Sequence, residues 1–331
     1  MKLIDLITAQ SARLKQAGVC FGHGTANAFD EAAWLVMWVL GIAFESLEAR
    51  AQQSLSADEQ AKAQALVTQR IESRQPSAYL THEAWLQNVA FYVDERVIVP
   101  RSYIAELLAD AEGDGTLDAW LSERTHKVLD LCTGSGCLAV IAAMAYPEVA
   151  VDAADISPQA LEVARINVDK HGLGARIHLL TSDLLTGVRG PYDLIVCNPP
   201  YVNDKSMSAL PAEYLAEPAL ALRGGADGMD LIRHIVRDAA SRMTQDAVLV
   251  MEIGHERAHF EAAFPRLEVA WLETSGGHDQ VLLVTRDALE EAHGHPKVPH
   301  PQGPRRGPFV ALGADDVRRR PGGALQRWNS R

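Results

Sequence analysis

Val128-Leu129-Asp130-Leu131-Cys132-Thr133-Gly134-Ser135-Gly136 turns an apolar run into a glycine-bearing bend within nine residues. Val128 to Leu131 reads as a strand, and the apolar stretch from Gly136 to Tyr146 reads as a helix. A bend at the carboxyl end of a strand, opening directly into a helix, is where a doubly wound sheet receives nucleotide-like ligands. Gly134 and Gly136 let the backbone bend tightly and approach a ligand. The spacing lacks the third glycine of the dinucleotide fingerprint and the Gly-Lys-Ser/Thr of a phosphate loop.

Downstream, strands and helices alternate. Val149–Ile156, Arg176–Leu180, Tyr192–Cys197 and Ala247–Ile253 read as strands. Between and after them come a helix begun by Ser157-Pro158, with Ser as cap and Pro at the first position, and helices over Asp227–Met243 and His255–Phe264. Such alternation predicts an α/β fold: a mostly parallel sheet with helices on both faces. Val269–Glu273 and Gln280–Thr285 complete the sheet. Only Thr274–Asp279 joins them, too short for a helical crossover, so the last strand should run antiparallel.

Upstream, residues 1–76 read as a small helical domain. Leu3, Ile4, Ile7, Leu14 and Ala17 recur at helical spacing, with Gly18 as the stop. Asp30 is the expected cap of the apolar run Ala32–Phe44, whose thirteen residues fall short of the ~20 that cross a bilayer. Ser56 should cap a helix that passes through Leu66 and Ile71 and ends before Pro76. Residues 77–102 read as a linking β-hairpin, its short β-rich runs set around a turn at Asp94-Glu95. Residues 103–292 form the sheet domain, and 293–331 a basic, disordered tail with six of the chain's sixteen prolines.

The 331 residues are 47% hydrophobic and 22% charged, which excludes a wholly disordered chain. Net charge is −12, but His293–Arg331 carries +6, which leaves −18 on the rest. An acidic body argues against a protein whose main task is gripping duplex DNA. The tail can at most attract RNA weakly. Cys20, Cys132, Cys137 and Cys197 form no Cys-x-x-Cys pair and no zinc-spaced cluster, so free thiols in a reducing, cytoplasmic setting are expected, with no metal. The N-terminus shows no secretory signal, since Asp5 interrupts the apolar stretch.

Three further features carry chemistry. Asp155, at the end of the second strand, offers acceptors suited to the two donors of a ribose diol. Asp183 comes after the third strand. Asn198-Pro199-Pro200-Tyr201 comes after the fourth, and its two prolines stop the strand and hold Asn198 rigidly extended. A planar NH2 is a poor nucleophile because its lone pair is delocalised. The Asn198 side-chain carbonyl and the Pro199 backbone carbonyl can accept one N–H each, which turns that lone pair towards an incoming electrophile. Tyr201 can stack on the planar acceptor. No strong base is needed; most of the acceleration is positioning, for which ~7–11 kcal/mol is available in favourable cases.

Tyr79–Trp85, Phe91–Ser102, Asp130–Gly136 and Asn198–Tyr201 together resemble the protein-(glutamine-N(5)) methyltransferases. Cys132, where many relatives have Gly, and Phe91–Arg96 resemble the branch acting on the large-subunit ribosomal protein L three more than the one acting on peptide-release factors. The resemblance covers roughly residues 1–290 and stops before the tail. It implies a class I S-adenosylmethionine-dependent methyltransferase fold, with seven strands and the last one antiparallel. It implies a cofactor site at Asp130, Cys132, Thr133, Gly134, Ser135, Gly136, Asp155, Ile156, Asp183, Leu184 and Asn198, with Asp183 near the adenine amino group. It implies catalysis by Asn198, Pro199 and Tyr201, a substrate site completed by Pro200 and Arg101, and an acceptor pocket shaped by Glu217-Pro218 and Gly224–Gly228. Arg101 is equally readable as structural. The helical domain would select the protein substrate. Methylation of release factors, adenine amino-group methylation of nucleic acid and a catalytically silent binding module remain open alternatives on the residues alone; the acidic body stands against the second, the intact motifs against the third.

Overall fold

The computed structural model describes residues 1–109, 117, 119–122 and 124–294. The basic tail from 295 onward lies outside the described residues. Chain contacts divide the described residues into two compact units. One comprises Met1–Arg101 together with Leu210–Pro218; the other comprises the remainder from Ser102 onward.

In the second unit, β3 (Lys127–Leu131), β4 (Ala150–Asp155), β5 (Ile177–Thr181), β6 (Tyr192–Cys197), β7 (Met243–Glu252), β8 (Ala270–Thr274) and β9 (Gly277–Thr285) make one seven-stranded sheet in the order β5-β4-β3-β6-β7-β9-β8. All pairings through β7 are parallel, and β9 runs antiparallel to both its neighbours, as the short connection required. β3 and β6 are buried at nearly every consecutive position, the mark of a sheet covered on both faces. On one face, Ile232, Ile235 and Val236 of the Asp230–Asp238 helix pack with Leu129, Ile195, Leu249 and Met251. Because β3, β4, β5 and β6 point the same way, their carboxyl ends share one edge. Register pairs Leu131 with both Ala154 and Cys197, and Asp155 with Thr181, so the loops leaving these strands are neighbours.

The first unit is mainly helical. The Leu3–Gln16 helix buries Leu3, Leu6, Ile7, Gln10 and Leu14, one face at 3.6-residue spacing. The Ala57–Ser73 helix opens with the expected cap: Ser56 Oγ accepts the Glu59 N–H at 3.2 Å, and the Glu59 carboxylate accepts the Ser56 N–H at 2.7 Å. Beyond it lie a short Ser77–Thr81 helix and a hairpin of β1 (Ala84–Leu86) and β2 (Val89–Phe91). Among the described residues no single helix is long and apolar enough to cross a membrane.

Several expectations need correction. Asn27, not Asp30, caps the apolar helix Ala28–Val39: its Oδ1 accepts the N–H groups of Phe29 and Asp30, and Asp30 Oδ2 accepts from Asn27 Nδ2 in return. The hairpin is set around Gln87-Asn88, both at positive φ, not around Asp94-Glu95. Asp94 instead accepts three N–H bonds from Arg96, two of them from the guanidinium, a local turn that ends β pairing. The helix expected over 227–243 starts at Asp230, because Asp227 is spent on the Met229 N–H and on Arg233, and tightens into a 3-10 turn after Asp238. The Ile104–Ala109 and Arg286–Ala292 helices went unanticipated.

A charged cluster lies inside the first unit. Arg70, 1% exposed, donates to Glu31 Oε1 at 2.7 Å, Glu213 Oε1 at 3.3 Å and the Cys20 carbonyl at 3.0 Å. Glu213 also accepts the Cys20 N–H and lies 2.8 Å from Arg74 Nε. Removing one member of such a cluster leaves the others charged and buried, which costs about 3–5 kcal/mol. Arg70→Leu should therefore lower the denaturant midpoint by that much stability, measured by urea unfolding; a loss under 1 kcal/mol would contradict the role assigned to the cluster.

Candidate active site

The loop after β3 owes its shape to alternating left-handed residues: Cys132, Gly134 and Gly136 have φ of +61°, +53° and +78°. Cys132 occupies a conformation that glycine adopts without strain. Thr133 N–H donates to the Ala154 carbonyl at 3.0 Å, which ties the loop to β4. Asn167 Nδ2, fully buried on the Pro158–Lys170 helix that follows β4, donates to the Ser135 carbonyl at 2.9 Å. Gly136 sits so close to that helix that a Cβ would lie 3.1 Å from Ala164 Cβ.

Asp130 lies beneath the loop, 1% exposed. Its Oδ2 accepts the Thr133 hydroxyl at 2.5 Å and the Ala139 N–H at 2.9 Å. Its Oδ1 is buried and has no hydrogen-bond partner among the described residues. Burial pushes the carboxyl up to about 7, against the two hydrogen bonds that favour its anion. Asp155 closes the loop from the side: Oδ2 accepts the Gly134 N–H and Oδ1 the Ser157 N–H, both at 2.9 Å. Burial raises its pKa too, opposed by these backbone donors. The next residue, Ile156, is 49% exposed, an apolar side chain left uncovered beside the loop.

Asp183 is exposed in a turn after β5. Its carbonyl accepts from Thr186, while Ser182 Oγ donates to the Leu184 carbonyl and accepts from Gly187 N–H. Leu184 has φ of +46°.

Asn198 leaves β6 half-buried, and its side chain makes no hydrogen bond among the described residues. The segment beyond Asn198 is held firmly. Val202 N–H donates to the Leu222 carbonyl and Gly224 N–H to the Val202 carbonyl, both at 2.9 Å. Side chains are excluded at the contacts: a Cβ on Gly224 would lie 2.7 Å from Tyr201 Cα, and one on Gly228 2.2 Å from the Tyr201 carbonyl oxygen. The Tyr201 ring lies over Gly254, and its hydroxyl is 3.4 Å from Glu252 Oε1. Buried Glu252 also accepts the Ser102 hydroxyl at 2.6 Å and the Tyr103 N–H at 2.9 Å.

The loop after β3, Asp155-Ile156, Asp183-Leu184 and Asn198–Tyr201 thus share one sheet edge. Arg101 belongs to the other unit. Its guanidinium donates to both oxygens of buried Glu217, at 2.6 and 2.7 Å, and Val99 N–H donates to the same carboxylate. Burial alone would raise the Glu217 pKa, but His23 and Arg101 outweigh it and hold the carboxyl at about 2. The structure therefore favours the structural reading of Arg101. Sequence reasoning missed Asn167 and Glu252. An acid closing the apolar run Ala247–Ile253 was the available signal for Glu252; Asn167 gave none.

The two loop glycines allow a paired test. Gly134→Ala meets no neighbour and should cost only the left-handed strain, about 1–2 kcal/mol. Gly136→Ala adds a forced contact with Ala164 and should cost about 1–3 kcal/mol more. Equal losses in urea unfolding would show that the loop packs differently.

Two family models match the chain: the methyltransferase small domain over residues 113–229 and the PrmC N-terminal domain over residues 5–81. Curated relatives include the ribosomal protein uL3 glutamine methyltransferases of Bordetella pertussis, 50% identical over 87% of this chain and 96% of that one, and of Neisseria gonorrhoeae, 49% identical over 86% and 94%. That of Burkholderia pseudomallei is 48% identical over 88% and 96%. A solved methyltransferase from Pyrococcus furiosus aligns at TM-score 0.42 and 13% identity over 59% of this chain and 88% of that one, too low to bear on the assignment. With about half its residues shared across nearly the whole length of these relatives, the chain belongs to the ribosomal protein uL3 glutamine methyltransferase family.

Proposed function

We propose that this enzyme transfers a methyl group from S-adenosylmethionine to the side-chain amide nitrogen of a glutamine in ribosomal protein uL3. The observation that carries the reading is the unpartnered, half-buried Asn198 amide, fixed by two prolines at the carboxyl edge of a parallel sheet. The names of relatives at about 50% identity support the substrate.

The residues present suit the cofactor. The buried Asp130 Oδ1, which lacks a partner among the described residues, is matched to the ammonium of the methionine moiety. Cys132, Thr133, Gly134, Ser135 and Gly136 bring backbone close to it, Asp155 has acceptor capacity for the ribose, and exposed Ile156 with Asp183-Leu184 suits the adenine. The cofactor supplies an electrophilic methyl on a sulfonium. The Asn198 side-chain carbonyl and the Pro199 carbonyl take one N–H each of the acceptor amide, and Pro200 keeps that pair rigid. The Tyr201 ring, held over Gly254 with its hydroxyl towards Glu252, gives the amide a flat surface. With its lone pair so turned, the amide nitrogen can take the methyl that the cofactor would supply, and the one proton it loses in exchange passes to solvent water. We place the reaction in the cytoplasm, where the four free cysteines stay reduced. The basic tail adds only weak, salt-sensitive attraction to RNA.

Asn198→Ala should leave cofactor affinity nearly intact and slow single-turnover methylation of uL3 by roughly 100- to 1000-fold, the effect of losing one preorganised hydrogen-bonding group. Near-normal turnover would reduce Asn198 to a turn residue. Mass spectrometry of uL3 after reaction should show one added methyl on a glutamine; an unmodified protein would refute the substrate.

Asp130 sets a pH dependence. Its folded pKa is raised to about 7, so its anion, the form that pairs with an ammonium, grows as pH rises. Calorimetry should show cofactor affinity rising about tenfold from pH 5.5 to 7, before the ligand's amine begins to lose its own proton near 7.7–8.0. Asp130→Asn should bind more weakly with a flat profile over that range. A wild-type profile just as flat would remove Asp130 from the ammonium site.

A further inference from the structure

The first unit contains a cavity of about 260 Å3 that the chemistry above does not use. Trp34, Trp38, Phe44 and Trp85 line it, and Glu45 and Glu83 bring carboxylates to it. The Trp85 indole N–H donates to Glu83 Oε1 at 2.8 Å, which fixes the ring and leaves Oε2 available. Neither Glu45 nor Glu83 has a cationic partner among the described residues. Trp38 is 41% exposed beside this space. A site whose only task was packing would be filled; here three indoles border an open volume.

That volume has room for one long side chain and falls below the ~300–1,000 Å3 of pockets for drug-sized ligands. Indole faces attract cations, arginine above all because its planar guanidinium also stacks. An aliphatic stem suits the apolar walls, and a positive head suits the two carboxylates. A protein that binds RNA does so through Lys and Arg that neutralise phosphates, so a ribosomal protein offers such side chains in number. We propose that the pocket takes the side chain of an arginine of the protein substrate, giving the enzyme a docking contact that sets affinity rather than rate. This rests on the reading of uL3 as substrate.

Two measurements test it. Tryptophan fluorescence of the full-length enzyme is titrated with N-acetylarginine amide and with N-acetylleucine amide. Saturable change with the arginine compound, weaker by tenfold or more with the leucine compound and lost in the Glu45→Gln/Glu83→Gln variant, supports the pocket. Equal or stronger binding of the leucine compound, or no binding of either, overturns it. Gln at 83 keeps an acceptor for the Trp85 N–H, so the variant retains the wall. In steady-state methylation of uL3 the same variant should raise KM about tenfold, the loss of the carboxylates that pair with the guanidinium, with kcat unchanged. An unchanged KM, or a fall in kcat alone, overturns the docking role. If the wild-type enzyme fails to methylate uL3 at all, the substrate reading falls, while the fluorescence titration still decides what the pocket binds.

Discussion

Proline carries no N–H, and two in succession at Pro199-Pro200 make continued pairing of β6 with β7 impossible. The parallel register of these strands ends at Cys197 and Met251, and the chain must leave the sheet there. Everything around Asn198 answers that constraint. The departing segment is recaptured two residues later by Leu222 and Gly224, and Gly224, Gly228 and Gly254 are bare so that Tyr201 can be clasped from three sides. Rigidity at one amide is thus built from missing donors and missing side chains. It suits a reaction in which the protein contributes orientation and little acid–base chemistry.

The second design feature is the use of buried acids as anchors. Asp130, Glu252, Glu213 and Glu217 each accept backbone or side-chain donors from other segments of their own unit. Their environments divide them sharply. Glu217 faces a guanidinium and is held ionised to about pH 2, whereas Asp130 has only neutral donors and rises to about 7. The same residue class is therefore held as a permanent anion by a guanidinium in one unit and kept close to neutrality by burial among neutral donors in the other.

The fold was legible in the sequence wherever local pattern and tertiary outcome coincide. The strand Tyr192–Cys197 was readable to the residue, because an apolar run ends in prolines. The antiparallel last strand came from the length of one connection. Errors fell where a single polar side chain decided the outcome: Asn27 outcompeted Asp30 for the cap, and Arg96 turned the chain at Asp94. At the site, the glycine loop and the Asn-Pro-Pro-Tyr run stood out because backbone conformation demanded unusual residues. Asn167 and Glu252 did not, since their partners lie 32 and about 150 positions away, and no local pattern encodes such pairs. Arg101 was ambiguous for the same reason: its meaning lies in Glu217, 116 residues on.

That long-range pairing has a consequence for synthesis. Arg70 and its helix leave the ribosome early, yet Glu213, which neutralises Arg70 inside the same unit, is 143 residues downstream. Closing so large a loop is entropically slow, and until it closes the nascent helical unit holds a guanidinium with an incomplete set of counter-charges. Translation runs at about 5–20 residues per second, so this interval lasts roughly seven to thirty seconds. The amino-terminal unit, first in sequence, is thereby completed only after synthesis of the other unit is well under way, so the two units are made interleaved and not one after the other.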